Sequence, residues 1–224
     1  MTAARHRRTA PEHSLNIPTR RRNVPAQTPP SAATVLLVPG LWNSGPEHWH
    51  SYWERERSDC RRVEQADWDT PNRADWVATL DRAIADAGRP VVLAAHSLGC
   101  ATIAHWAGVA TPAALERVRG ALLVAPIDVE APTYPLGTTG FAPLPLEPLG
   151  FPSVVVMSRD DEYVTPERAA AFAAAWGSRL VDVGARGHLD SASKLGGWPE
   201  GQRLLDALLD GRPLAGADSE GRSA

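Results

Sequence analysis

PVVLAAHSLGC, residues 90–100, is the stretch on which the reading of this chain turns. An apolar, β-branched run from Pro90 to Ala94 leads through His96 to Ser97, and an Ala-rich segment with helical character follows. The pattern predicts a strand, a sharp turn and a helix. A nucleophile elbow has this form: small residues two before and two after the serine let strand and helix approach closely. Gly99 fits that rule, and Ala95 stands where the first glycine is usual. The competing reading makes Ser97 an ordinary cap of the helix that follows, since serine is a favoured N-cap.

Working outward, short apolar runs alternate with amphipathic stretches. Strands are expected at 34–38, 90–95, 119–125, 153–158 and 179–183, with a weak one at 61–65. Helices are expected at 46–57, 75–87, 98–109, 166–176 and 199–209. Trp76, Leu80, Ala83 and Ile84 share one face of the second helix. Strands that are apolar throughout are those covered on both sides, and their alternation with helices implies βαβ units. The expected fold is therefore one α/β domain over residues 31–210: a doubly wound, mostly parallel sheet of about six strands with helices on both faces. Residues 126–152 break the rhythm. They are proline-rich and aperiodic, and long connections of this kind are usually functional or disordered. A loop or short lid over the C-terminal edge of the sheet is expected there, where open α/β sheets bind ligands.

The chain has 224 residues and a formal net charge of −3, which argues against nucleic acid as a partner. Arg5, Arg7, Arg8, Arg20, Arg21 and Arg22 crowd the beginning. Residues 1–30 read as a disordered basic tail and residues 211–224 as a flexible end. No apolar h-region follows the arginines, and no run approaches the roughly 20 apolar residues of a membrane span. Cys60 and Cys100 give no disulfide framework. Two reduced thiols and a cytoplasmic location are expected. His48 and His50 lack a third ligand at a useful spacing, so no metal site is predicted and a helix surface is expected for both. Most of the eight tryptophans are expected in the core.

A serine hydroxyl needs a positioned base. Only His105 and His188 follow Ser97. His105 sits about two helical turns along the same helix and cannot reach back. His188 falls in the loop after the last strand and is the candidate base. The acid that orients it should end an earlier strand. Asp161 is favoured, because D-x-x-V precedes a helix start at Thr165-Pro166. Asp160 could instead hold the turn, and Asp128 is a further candidate. An oxyanion needs two convergent N–H donors: one from Leu98, and one from Leu41 in the loop after the first strand, with Trp42 as alternate.

VPGLWNSGPEHWHSYWE, AHSLGC, SRDDEYV and GARGHLDSASKLGGWPEG together resemble the retinoblastoma-binding-protein-9-like (YdeN-like) serine hydrolases of the α/β-hydrolase fold. The resemblance spans about residues 34–210. It implies Ser97 as nucleophile, His188 as base and, from the second aspartate of the Asp160-Asp161 pair, Asp161 as acid. Ala95 in place of glycine and Lys194 in the loop after His188 are departures. The expectation is a cofactor-free hydrolase of small carboxylic esters. The same three residues would also serve an amide, thioester or lactone, and a hydrolase scaffold can carry a purely protein-binding role. An L-x-C-x-E motif for pocket-protein binding is absent. The sequence leaves the oligomeric state open, a monomer included.

Overall fold

Six strands build one sheet in the order β2-β1-β3-β4-β5-β6, every pair parallel. The structure is a computed structural model and describes residues 33–212. The expected basic tail and almost all of the expected flexible end lie outside the described residues. The strands are β1 (Thr34–Val38), β2 (Cys60–Arg62), β3 (Val91–His96), β4 (Val118–Val124), β5 (Ser153–Met157) and β6 (Arg179–Asp182). The helices are α1 (Trp49–Glu56), α2 (Arg73–Ala85), α3 (Leu98–Ala107), α4 (Pro112–Leu115), α5 (Pro166–Trp176) and α6 (Pro199–Leu209). The expected fold class is the observed one. Only the short α4 was not anticipated.

The continuous apolar strands are explained by two cores, one on each face. Along β3, Val92 and Ala94 join the cluster containing Trp49 and Trp53 of α1 and Leu205 of α6. Val91, Leu93 and Ala95 join the cluster containing Trp76 of α2, Trp106 of α3 and Trp176 of α5. A two-residue period thus feeds both faces. Local chemistry sets the helix ends. The Asn72 side chain accepts from the Ala74 N–H at the start of α2, and the Thr165 side chain, followed by Pro166, accepts from Arg168 N–H at the start of α5. Gly177, at φ 69°, ends α5 in the left-handed conformation.

The chain leaves β1 toward β2 on one side and returns to β3 on the other. The loops after β1 and β3 therefore diverge at neighbouring C-terminal strand ends. This is the switch point at which open α/β sheets form a crevice.

Residues 126–152 contain no helix or strand and are packed rather than free. Thr139 bridges to Asn72, the His105 Nε2–H donates to the Phe141 carbonyl (2.8 Å), and the Trp176 indole donates to Pro145 (2.9 Å). His105 is accordingly a packed histidine. Only the first part of the segment reaches the crevice, through Ile127 and Pro135.

Candidate active site

Ser97 sits at the turn between β3 and α3 with φ 53° and ψ −120°. A non-glycine residue with positive φ is strained, and such strain collects at functional sites. Ser97 occupies the N-cap position of α3, yet its side chain makes no capping hydrogen bond. The neighbouring backbones explain the small residues. A Cβ on Gly99 would collide with the Val38 and Pro39 carbonyl oxygens. A Cβ on Gly40 would lie 2.8 Å from Ser97 Cβ and 3.2 Å from Leu98 N. Gly40 thereby lets the loop after β1 close onto the turn between β3 and α3. Ala95 is fully buried in the same apolar cluster as Val38, Leu98 and Leu123, so the extra methyl is absorbed by the core.

The three candidate acids separate by their partners. Both Asp161 oxygens lie 2.9 Å from His188 Nδ1, and the Asp161 side chain is fully shielded from solvent. Asp161 Oδ1 also accepts from the Tyr163 N–H (2.9 Å). Asp160 Oδ1 instead accepts from the Gly187 N–H (2.7 Å) and the Ser158 hydroxyl (2.8 Å), which anchors the loop bearing His188. Those hydrogen bonds, Gly187's first, hold the Asp160 carboxyl below the usual carboxylate range. Asp128 is clamped by Arg168, with Nε–Oδ2 at 2.8 Å and Nη2–Oδ1 at 2.9 Å.

The donor candidates separate in the same way. The Trp42 N–H is taken by the Trp68 carbonyl (3.0 Å). The Leu41 and Leu98 N–H groups meet no acceptor among the described residues. Leu41, Ser97 and His188 line one cavity of about 160 Å³, together with His48, Ile127 and Tyr163. Ser97 and His188 are not hydrogen-bonded to each other in this structure, and such contacts commonly tighten only when substrate is bound. A larger cavity of about 490 Å³ lies elsewhere, between α2, α3 and α4. Ser97, Asp161 and His188 do not line it.

A family model described as serine hydrolase matches residues 35–207. The chain belongs to the serine hydrolase family. Among solved structures, this serine hydrolase is similar to a putative YdeN-like hydrolase from Pectobacterium atrosepticum. The two share 31% identity at a TM-score of 0.69, over 80% of this chain and 91% of that one. The ydeN gene product from B. subtilis is 17% identical, with a TM-score of 0.59, over 80% of this chain and 99% of that one. Carboxylesterase CesB (YbfK) from Bacillus subtilis is likewise 17% identical, with a TM-score of 0.55, over 82% and 85%. The last two share the fold. No curated protein matches. The YdeN-like side of the resemblance is thus met, and none of these three structures carries the retinoblastoma-binding name.

One expectation for this serine hydrolase needs correction. His48 and His50 are not on a helix surface: both are buried. The His50 Nε2–H donates to the Ala94 carbonyl (3.0 Å), which leaves Nδ1 to accept from the Ser44 hydroxyl (2.9 Å). His48 Nδ1 accepts from the His50 N–H (3.1 Å). Its proton then resides on Nε2, which meets no partner among the described residues. His96 Nε2–H donates to the His188 carbonyl (2.8 Å), and its ring stands edge-on between those of His48 (4.7 Å) and His188 (4.8 Å). Histidine reads as polar in a hydropathy pattern, and these partners are distant in sequence. Among the described residues no group of His, Cys, Asp and Glu is arranged to hold a metal ion, and no helix is long and apolar enough to cross a membrane.

Sequence reasoning also missed Arg62. From the end of β2 it donates to Asn43 Oδ1, the Ser44 carbonyl and Ser51 Oγ, each at 2.8 Å. It holds the loop that follows Leu41, where Trp42 and Asn43 both have φ 63°. The loop bearing His188 is held in turn by α1, whose Trp49 indole donates to Leu189 (3.1 Å) and whose Trp53 indole donates to Gly197 (2.9 Å). A charged residue ending a weak strand gave no signal of the first, and the spacing of Trp49 and Trp53 gave only a helix.

Burial lowers all three inner histidines, His96 to about 3. Unfolding releases each to its ordinary value near 6.5. Between those values the unfolded chain binds protons that the folded chain refuses, so stability is complete above about pH 6.5 and falls as the pH drops. His96 alone should account for about 2 kcal/mol of loss by pH 5. Urea unfolding at pH 7, 6 and 5 should show this decline, with net proton uptake on unfolding. A flat profile would contradict neutral, buried imidazoles.

Proposed function

We propose that this protein hydrolyses carboxylic esters through an acyl-enzyme on Ser97, with His188 as general base and acid and Asp161 as its orienting carboxylate. The supporting observation is the His188 imidazole held by both Asp161 oxygens at 2.9 Å, in the cavity that Ser97 also lines. A carboxylate at Nδ1 keeps the proton there, so Nε2 is free to accept the Ser97 proton. Ser97 Oγ bonds to the acyl carbon as that proton moves to His188. The carbonyl oxygen becomes an oxyanion facing the Leu41 and Leu98 N–H groups. The C–O bond to the alcohol then breaks, and His188 returns its proton to the departing alkoxide. A water molecule, deprotonated by His188, attacks the acyl carbon and releases the carboxylic acid and the Ser97 hydroxyl. An alkoxide is a far weaker base than an amide anion and leaves with one proton returned by His188, which favours esters over amides.

A panel of p-nitrophenyl acetate, an aminoacyl p-nitroanilide, an acyl thioester and a lactone tests the bond cleaved. Ester kcat/KM should exceed that of the anilide by at least about a hundredfold, roughly 2.7 kcal/mol of transition-state preference. Preferred cleavage of the anilide or thioester would overturn the ester assignment, and preference for the lactone would restrict it to cyclic esters.

A further inference from the structure

Trp42 is set apart from the other large aromatic side chains. Trp49, Trp53, Trp76, Trp106, Trp176 and Trp198 are all buried, whereas Trp42 is 59% exposed at the mouth of the Ser97 cavity. Its backbone is held at φ 63°, a region unfavourable to bulky side chains, with its N–H bound to Trp68 and the next residue tied down by Arg62. The positive φ turns a bulky indole outward beside Ser97, where it is available to a ligand. Pro135 lines the same cavity, and the next residue, Leu136, is 96% exposed. Trp42 and Pro135 thus give the cavity an apolar side, while Asn43, Asp190 and Ser191 line it with polar groups. The cavity behind it is small. At about 160 Å³ it compares with an apolar cavity that holds one benzene ring.

We infer that the substrates are two-part esters: a small acyl group enclosed beside Ser97, and a bulky apolar or aromatic alcohol lying across Trp42 and Pro135. This rests on the acyl-enzyme reading above. The order of events assigns the two parts. The acyl group stays bonded to Ser97 until water arrives, and an enclosed position suits it. The alcohol takes its proton from His188 and must leave before that water attacks, and a group on the open rim departs unobstructed. An indole face offers a flat apolar surface for such a group.

The test is the ratio of kcat/KM for 2-naphthylmethyl acetate to that for ethyl acetate. Each ester is its own control, so differences in leaving-group chemistry cancel between variants. Trp42→Asn tolerates the positive φ and removes the ring. It should lower the ratio about tenfold, mainly through KM, the scale of one aromatic contact. Trp42→Phe should hold the ratio within about threefold of the wild-type value. An unchanged ratio in Trp42→Asn would overturn the inference. So would a fall in the ratio of ethyl octanoate to ethyl acetate, which would lay the acyl chain on the rim instead. Equal loss on every ester would also overturn it, by making Trp42 a support of the site as a whole. A wild-type protein that neither cleaves esters nor labels with a fluorophosphonate would remove the underlying hydrolytic reading, an outcome distinct from these.

Discussion

Ser97→Ala should lower ester kcat by about a millionfold, to the level at which binding and the two backbone donors act alone. Removal of a nucleophile has effects of this size because the remaining groups then have nothing to activate. Folding should be unaffected. The Ser97 hydroxyl makes no capping bond to α3, so its loss costs that helix no cap. Alanine also meets the same backbone strain at φ 53° that serine already bears. The expected result is an inactive variant whose thermal midpoint stays within a few degrees of the parent. Retention of more than about a hundredth of the activity would remove Ser97 from the mechanism.

Asp161→Asn should cost about ten-thousandfold in kcat, the scale seen when an imidazole is held in the wrong tautomer. The geometry says why. Asp161 Oδ1 accepts from the Tyr163 N–H, so the amide oxygen of asparagine keeps that position. The NH2 group then replaces Oδ2, 2.9 Å from His188 Nδ1. The amide oxygen at Oδ1 also lies 2.9 Å from Nδ1, but the new N–H donor competes for that nitrogen, and the negative charge that stabilises the imidazolium is gone. Asp160→Asn is the matched comparison. Its amide oxygen can still accept from Gly187 and Ser158, so the loop stays anchored and the loss should not exceed about tenfold. Equal damage from both substitutions would overturn the assignment of Asp161 as the partner that matters.

The parts legible in the sequence are those written locally. Continuous apolar strands, amphipathic helices and their terminal signals gave the sheet and the bounds of α5 and α6 without change. The glycine at 99 and the small residue at 95 signalled the tight turn between β3 and α3, because close backbone approach leaves a mark in residue size. What was only ranked, or escaped, depends on contacts between distant segments. Asp160 and Asp161 are neighbours with the same chemistry, and only the position of the His188 loop separates them. Leu41 and Trp42 are equally good donors in a sequence, and the carbonyl of Trp68 occupies just one of them. The buried histidines follow the same rule: His50 reaches Ala94, on a strand reached only after α1, β2 and α2. Polar residues that serve as internal struts look like surface residues until their partners are known.

The central claim is that Ser97 carries the acyl group, and the most direct measurement is the site of covalent modification. Treatment with a fluorophosphonate should add one phosphonyl group per chain and abolish ester cleavage in step. Peptide mass mapping should place the added mass on Ser97, and the Ser97→Ala variant should gain none. Modification at any other residue, or undiminished labelling of Ser97→Ala, would contradict the account.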